Sequence, residues 1–530
     1  MWMTAENRRW WALTGACMGL FLLMLDSSVV VLAIPPIQHD LDASNSELQW
    51  IVNGYLLVLA VLVVTAGRLG DILGRRRVFL AGMLLFTAGS VLAALAPSPV
   101  VLIAARVIQG TGGSSMLGLS LAIVSHDFPP EERPRALGIW TAVSAMGLAV
   151  GPLVGGVLID ALGWRWIFWL CLPFAALGLT LTRIAAQESR DETAAHRIDV
   201  AGLVTLTVGL AGVVMALIEG KDWGWGAWQT VVLFGVGLLS LVAFWFVEHR
   251  VRSPLVEFSL FRNGPYFGAS AAAFCLVGCY WGVDFFQPQY LQDVLGYSPL
   301  VSGILILPVT VPMILISPLA GRVVRRFGTR LVMTAGMACG TAGVLIQTQM
   351  TPDTGYALVL PGLLLLGVAL GLVYAPMSAA AMAAMPAEKA GIAAGVLAMN
   401  RVLSGALILA VLGALFQHLQ QDRLSSLLAG TASGLDPDRT ELDSLLAGSP
   451  AARARLDSFD PGVVASIERV VDETFTYALA RANWVMVVVM VVGTVLTWLY
   501  VRSPGEADAP EAVPTAAAAA SPHHRLRFHL

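Results

Sequence analysis

Three charged residues stand inside long apolar runs and could do chemistry there: Asp26 in the run 10–34, Arg106 in 99–121 and Asp284 in 265–290. A bare charge in hydrocarbon costs about 3 kcal/mol or more, so each needs a partner, a wet cavity or a proton. A carboxyl at Asp26 that gains and loses a proton as its surroundings alternate between dry and wet is what a proton coupler requires. The plainer alternative is a hydrogen bond that packs two helices. Arg106 keeps its charge under all ordinary conditions. Read as the one arginine inside a span, it must face water, reach toward a membrane surface or pair with a carboxylate, and Gln109 one turn away can join it. Asp284 sits among Trp281, Phe285, Phe286 and Gln287. A carboxylate among aromatic rings suits a lipophilic cation, a second proton, or an interface near the end of the span.

Two glycine-punctuated basic stretches follow a different logic. GRLGDILGRRR at Gly67–Arg77 returns as GRVVRRFGTR at Gly321–Arg330, a shift of 254 residues. FPPEERPRALG from Phe128 resembles MPAEKAGIAAG from Met385, and aligning Pro130 with Pro386 gives a shift of 256. Two matches at nearly one shift imply two homologous halves. In the first copy Gly67 and Gly74 allow tight turns and close helix approach. Asp71 can cap a helix or pair with an arginine, and the second copy has Arg325 at that place. Gly147, Gly151 and Gly155 recur every fourth residue, with Pro152 and Gly156 beside them. Such spacing makes a flat helix face for close contact, and the proline permits a kink.

These residues must be held by membrane helices. The chain of 530 residues is 57% hydrophobic and 13% charged, about half the charge of a soluble domain. About 20 apolar residues cross a bilayer. Fourteen such runs are read at 10–34, 49–70, 78–97, 99–121, 137–160, 164–183, 199–218, 228–247, 265–290, 300–320, 330–349, 357–377, 397–417 and 484–502. Arginines crowd alternate loops, from Arg8 and Arg9 through Arg75–Arg77 and Arg133 to Arg322–Arg330. The positive-inside rule then puts both termini in the cytoplasm. Trp164, Trp166, Trp169, Trp223, Trp225 and Trp228 fall near the opposite ends, as an aromatic belt does.

The fold class is therefore all-α and integral to the membrane, with two pseudo-symmetric six-helix halves and two insert helices. The halves are 1–198 and 251–502, the insert is 199–250, a long outer loop runs over 417–483, and 503–530 is a disordered cytoplasmic tail. The cysteines, Cys17, Cys171, Cys275, Cys279 and Cys339, all lie in apolar stretches and read as small buried hydrophobes.

From about Trp10 to Arg502 the chain resembles the major facilitator superfamily, in its fourteen-helix drug:proton antiporter branch. The motifs are LDSSVVVLAIPPIQ at Leu25, GRLGDILGRRR at Gly67, RVIQGTGGS at Arg106, GLAVGPLVGG at Gly147, SPLVEFSLFRN at Ser253 and YLQDVLGYSP at Tyr290. The resemblance implies a functionally required carboxylate at Asp26 and a proton-transfer or gating role for Arg106. It implies conformational gating by Gly67, Asp71, Gly74, Arg75 and Arg76 and by Gly147, Gly151, Pro152, Gly155 and Gly156. Asp284 departs from the family pattern and, with Trp281, Phe285, Phe286, Gln287 and Tyr55, is the expected substrate contact. No acid occupies the tenth span, about 300–320, so the dication export of some relatives is not expected.

The implied activity is proton-coupled export of small amphipathic drug-like or antibiotic compounds across a bacterial plasma membrane, by a monomer in the lipid bilayer. No enzyme, cofactor, metal site or nucleic-acid partner is expected. The two lysines, Lys221 and Lys389, lie in no phosphate-binding loop, which argues against ATP-driven export. An uptake carrier for a nutrient or siderophore, or a membrane sensor on a transporter scaffold, is the alternative. The Gly147–Gly156 motif opposes uptake and Asp26 opposes the sensor.

Overall fold

The computed structural model describes residues 5–129, 131–190, 199–251, 254–386, 389–431 and 461–501. Pro130, Arg197, Arg252, Ser253, the middle of the segment read as an outer loop (432–460) and the tail from 502 lie outside them.

Among the described residues fifteen α-helices follow one another: α1 Ala5–Leu32, α2 Ile34–Leu41, α3 Asn45–Leu73, α4 Arg75–Ala94, α5 Pro99–Asp127, α6 Arg133–Leu162, α7 Arg165–Ala185, α8 Val200–Trp223, α9 Trp228–Glu248, α10 Gly264–Gln289, α11 Pro299–Phe327, α12 Thr329–Gln347, α13 Gly355–Ala383, α14 Ala390–Thr431 and α15 Pro461–Tyr500. All but the short α2 are long and apolar enough to cross a membrane, giving fourteen candidate spans. A 3-10 turn, Phe258–Arg262, precedes α10, and a π turn, Tyr290–Val294, follows it. The segment read as an outer loop, 417–483, is helical at both ends, because α14 runs on to Thr431 and α15 begins at Pro461.

Local chemistry sets many of the helix ends. Ser44 and Glu47 form a reciprocal capping box at the start of α3. The side chains of Asp199, Asn263 and Ser298 accept from backbone N–H groups at the starts of α8, α10 and α11. The basic stretch is not a loop. Gly67 to Leu73 is the last part of α3, Gly74 alone breaks the helix, and Arg75 opens α4. Gly74 has φ +114°, and Gly328, its image at the same 254-residue shift, has φ +82° between α11 and α12. Both breaks need the freedom that glycine has at positive φ.

The two halves repeat one packing pattern. In the first, α1 packs on α6 and α7, α4 on α5 and α7, and α3 on α5. In the second, α10 packs on α14 and α15, α12 on α13 and α15, and α11 on α13. The pair α8–α9 stands between them in sequence, with α8 packed on both α3 and α14. Ser46 donates to Asp222 (2.7 Å) and the Trp50 indole to Glu219 (2.8 Å), joining α3 to the end of α8.

The halves meet closely at the end opposite the N-terminus. There Gly156 abuts Leu300, Gly303 abuts the Pro152 carbonyl, the backbone N–H of Leu300 and the Ser298 hydroxyl bond to Asp160, and Gln292 donates to the Leu32 carbonyl at 3.0 Å. Along the α3–α14 seam, Gly413 is pressed on Gln49 at that end. Toward the arginine-rich end, a Cβ on Gly395 would reach only Val64, at 3.9 Å.

Candidate functional site

Asp26 lies six residues before the end of α1, and Arg106 seven residues after the start of α5. At 1.5 Å per residue both sit roughly 10 Å from the closed end of the bundle, not at mid-span. They are 3% and 1% exposed, so their interaction is not diluted by solvent. Arg106 Nη1 donates to Asp26 Oδ2 at 2.6 Å and to Gln109 Oε1 at 2.9 Å, and Arg106 Nε donates to the Ile51 carbonyl at 3.2 Å. Gln109 Nε2 donates to Asp26 Oδ1 (3.2 Å) and to Ser90 Oγ (2.9 Å). Four helices thus converge on one ion pair. The two carboxylate oxygens are bound by different side chains of α5, three residues apart on one face.

Tyr55, expected among the substrate contacts, is found here instead. Its ring lies over the Arg106 guanidinium at 4.2 Å, and its hydroxyl accepts from Ser27 at 3.4 Å. It is buried in the charged network. Asn53, two residues before Tyr55 on α3, is fully buried with neither amide atom partnered.

Asp284 lies five residues before the end of α10, which matches the position of Asp26 in α1. It is buried, Tyr280 donates to its Oδ1 at 3.4 Å, and Oδ2 has no partner. Gln287, one turn on, has an unpartnered Nε2 on the same face. Trp281 packs on Gly405 of α14. The aromatic neighbours divide. Phe286 is two residues from Asp284, so it points to the other side of the helix; it packs on Phe416 (4.8 Å), which packs on Phe475 (5.0 Å). Phe285 is buried against Phe286 at 4.9 Å. Adjacency in sequence suggested one aromatic cage, and helical periodicity takes Phe286 out of it.

A second arginine inside a span escaped the sequence reading. Arg401 lies eleven residues into α14, within the limits 397–417 already assigned to a span. Its guanidinium stacks on Tyr374 of α13 at 4.7 Å and donates to Ser378 Oγ. Counting arginines against the span limits would have found it.

The glycine face of α6 does two things. Gly147 and Gly155 approach the Phe21 carbonyl and Val29 of α1, with Gly151 against Ser28 between them. A Cβ at Gly147 or Gly155 would sit 2.7 Å from its nearest neighbour. Pro152 and Gly156 face α11.

At the basic end, Asp71 pairs with Arg75 (2.9 Å) within its own half. Arg76 and Arg77 turn to Glu188 beyond α7, at 3.7 and 3.6 Å, and Glu188 also accepts from the Arg76 backbone N–H. Glu188 was not picked from the sequence, since nothing local marks it. Around Gly67 a Cβ would meet nothing within 4 Å, whereas one on Gly70 would strike Leu119. The close approach expected of Gly67 is therefore made by Gly70.

Outside the spans two carboxylates are tuned by cations. Burial opposes ionisation of Asp40, but hydrogen bonds from Arg165 and Trp164 hold its carboxyl below the usual range. The Lys389 ammonium, with the Ser259 hydroxyl, holds Glu257 low. Among the described residues no three His, Cys, Asp or Glu side chains gather as a metal site, and all five cysteines are free.

Residues 16–409 match the family model described as Major Facilitator Superfamily. A Mycobacterium tuberculosis protein named multidrug resistance protein Stp is 39% identical over 397 residues, 75% of this chain and 74% of its own. The tetracenomycin C resistance and export protein of Streptomyces glaucescens is 31% identical over 527 residues, 97% of this chain and 96% of its own. Among solved structures, a bacterial homologue of the human lysosomal transporter Spinster, inward-facing and unoccupied, covers 93% of this chain and 97% of its own. Its TM-score is 0.61 at 16% identity, a likeness of fold.

Proposed function

The chain belongs to the major facilitator superfamily, and on that premise we propose that it exports amphipathic drug-like or antibiotic compounds in exchange for protons. The observation that carries this reading is the Asp26–Arg106 pair, buried near the end at which the two halves are pressed together. Relatives named for multidrug resistance and for tetracenomycin C resistance and export support the direction of transport. We place the protein as a monomer in a bacterial plasma membrane, with the arginine-rich end and both termini in the cytoplasm.

In this mechanism the substrate enters from the arginine-rich end. When the bundle reverses, a proton from outside reaches Asp26. Protonation removes the charge that holds Arg106 Nη1 and leaves the guanidinium with Gln109, the Ile51 carbonyl and the Tyr55 ring. When the bundle opens inward again, the proton leaves and the ion pair re-forms. The Gly147–Gly155 face lets α6 slide on α1, and Pro152 with Gly156 closes the outer end against α11. Gly67, Asp71, Gly74, Arg75 and Arg76, braced by Glu188, form the inner latch. Asp284 is the acid of the second half and takes a lipophilic cation or a second proton, with Trp281 and Gln287 beside it.

Everted vesicles test this. Adding substrates from a broad drug panel to an imposed pH gradient should release protons, and Asp26→Asn should abolish that flux with the protein still in the membrane. No substrate-linked proton flux across the panel would overturn the antiporter reading. Unchanged coupling in Asp26→Asn would remove Asp26 from it. For Asp284→Asn, loss of cationic substrates with neutral ones spared marks a drug contact, and equal loss marks a proton site.

A further inference from the structure

Among the described residues, Arg401 is an arginine without a carboxylate. It lies eleven residues, ~16 Å, inside α14 and four residues inside the apolar run 397–417. Arg106 shows how the same chain treats a guanidinium meant to stay enclosed: 1% exposed, with an aspartate at 2.6 Å. Arg401 has the Ser378 hydroxyl and the Tyr374 ring, its Nε is buried without an acceptor, and it makes no ion pair among the described residues.

Among the described residues no acid stands where it could supply the missing charge. Away from the helix ends, the carboxylates of the described spans are Asp26 and Asp284. Asp26 is held by Arg106 and Gln109. Asp284 is far along the bundle. Asn400 bonds to the Ser270 carbonyl and Phe286 packs on Phe416, so α10 and α14 run side by side in one register. Arg401 then comes level with Ala271, and Asp284 is 13 residues, ~20 Å, nearer the opposite end. The surroundings are also open: Arg401, Tyr374, Ser378 and Trp281 are each partly exposed.

We infer that Arg401, with Tyr374 and Ser378, is a binding site for the anionic group of a transported compound, a carboxylate or an ionised phenol. The planar guanidinium offers paired N–H donors to such a group. Tyr374 holds the plane from one side and Trp281 adds an aromatic wall for the rest of the molecule. The inference deepens the export reading, but binding at this site requires neither proton coupling nor a direction of transport.

The test uses two xanthene dyes of similar shape and opposite charge: fluorescein, at a pH where it is anionic, and the cation rhodamine 123. Fluorescence anisotropy titrations on the purified full-length protein give both affinities directly. Arg401→Gln should weaken fluorescein by about tenfold or more and leave rhodamine 123 within about twofold. Arg401→Lys, which keeps the charge without the fork, should fall between. Wild-type protein that binds no fluorescein would overturn the site. Equal weakening of both dyes by Arg401→Gln would also overturn it, making Arg401 a structural or gating residue. Export is judged separately by substrate-driven proton flux, so failure of one reading is separable from failure of the other.

Discussion

The Asp26–Arg106 pair is enclosed by four helices, and its energetics follow from that burial. Removing one partner of such a pair leaves an uncompensated charge and costs about 3–5 kcal/mol, whereas removing both can be nearly neutral. Arg106→Ala should therefore lower the unfolding temperature sharply, and adding Asp26→Asn should recover most of the loss without restoring coupled transport. Thermal melts in detergent beside vesicle flux check this, and a double variant no more stable than Arg106→Ala would show that the pair is not the unit described. Asp26 and Arg106 were each visible in the sequence as charges in apolar runs. That they meet was not, because 80 residues and two intervening spans separate them. Tyr55 looked like a cavity residue for the same reason, since a tyrosine in a span does not reveal which neighbour its ring covers.

At the scale of elements, the glycines of α6 were legible in both spacing and consequence. Gly155→Leu should force α6 off α1 at Val29 and abolish transport, with a melting loss of about 1–3 kcal/mol from overpacking. The same change at Gly138, where a Cβ meets nothing within 4 Å, should be tolerated. Equal damage at both positions would mean that the seam is not specific. The α2–α7 clasp has a defined pH behaviour. Asp40 is held below its unfolded value, so its contribution is complete above the ordinary aspartate range, about pH 4, and is lost as pH falls through the lower folded value. Asp40→Asn should flatten the acid limb of the melting profile by a small amount, because the pair is solvent-screened. An unchanged limb would show that Asp40 contributes nothing there. The basic stretch was harder to read. Its composition suggested a loop, but a helix needs only one residue of unusual φ to break, and Gly74 supplies it while Gly67 stays helical.

Across the whole molecule, the halves are pressed together where Gly156, Gly303 and Gly413 sit, and the α3–α14 seam is in looser contact at Val64 and Gly395. Alternating access requires the α3–α14 seam to tighten near Val64 and Gly395 when the opposite end opens. In a cysteine-free background, Val64→Cys with Gly395→Cys should cross-link faster when the substrate side is reversed than in the resting protein. Gly156→Cys with Leu300→Cys should show the opposite preference. Rates that stay fixed under all conditions would mean that the bundle does not rock about this seam. Arg401 belongs to the same scale, since its distance from Asp284 comes from the register of α10 on α14.

The sequence alone determined the solvent, the number of spans, the two-fold repeat and the family, because each is a matter of local composition or of spacing along one chain. A bilayer needs about 20 apolar residues wherever they occur, and a duplicated half carries its glycines and arginines at a constant shift. Tertiary structure decided the partners: Arg106 for Asp26, Tyr55 for Arg106, Glu188 for Arg76, and no carboxylate for Arg401. Those contacts depend on how helices far apart in sequence rotate and slide against one another. Each residue of helix turns a side chain by about 100°, and the two residues from Asp284 to Phe286 place Phe286 in the packing of the second half and leave Asp284 facing away from it.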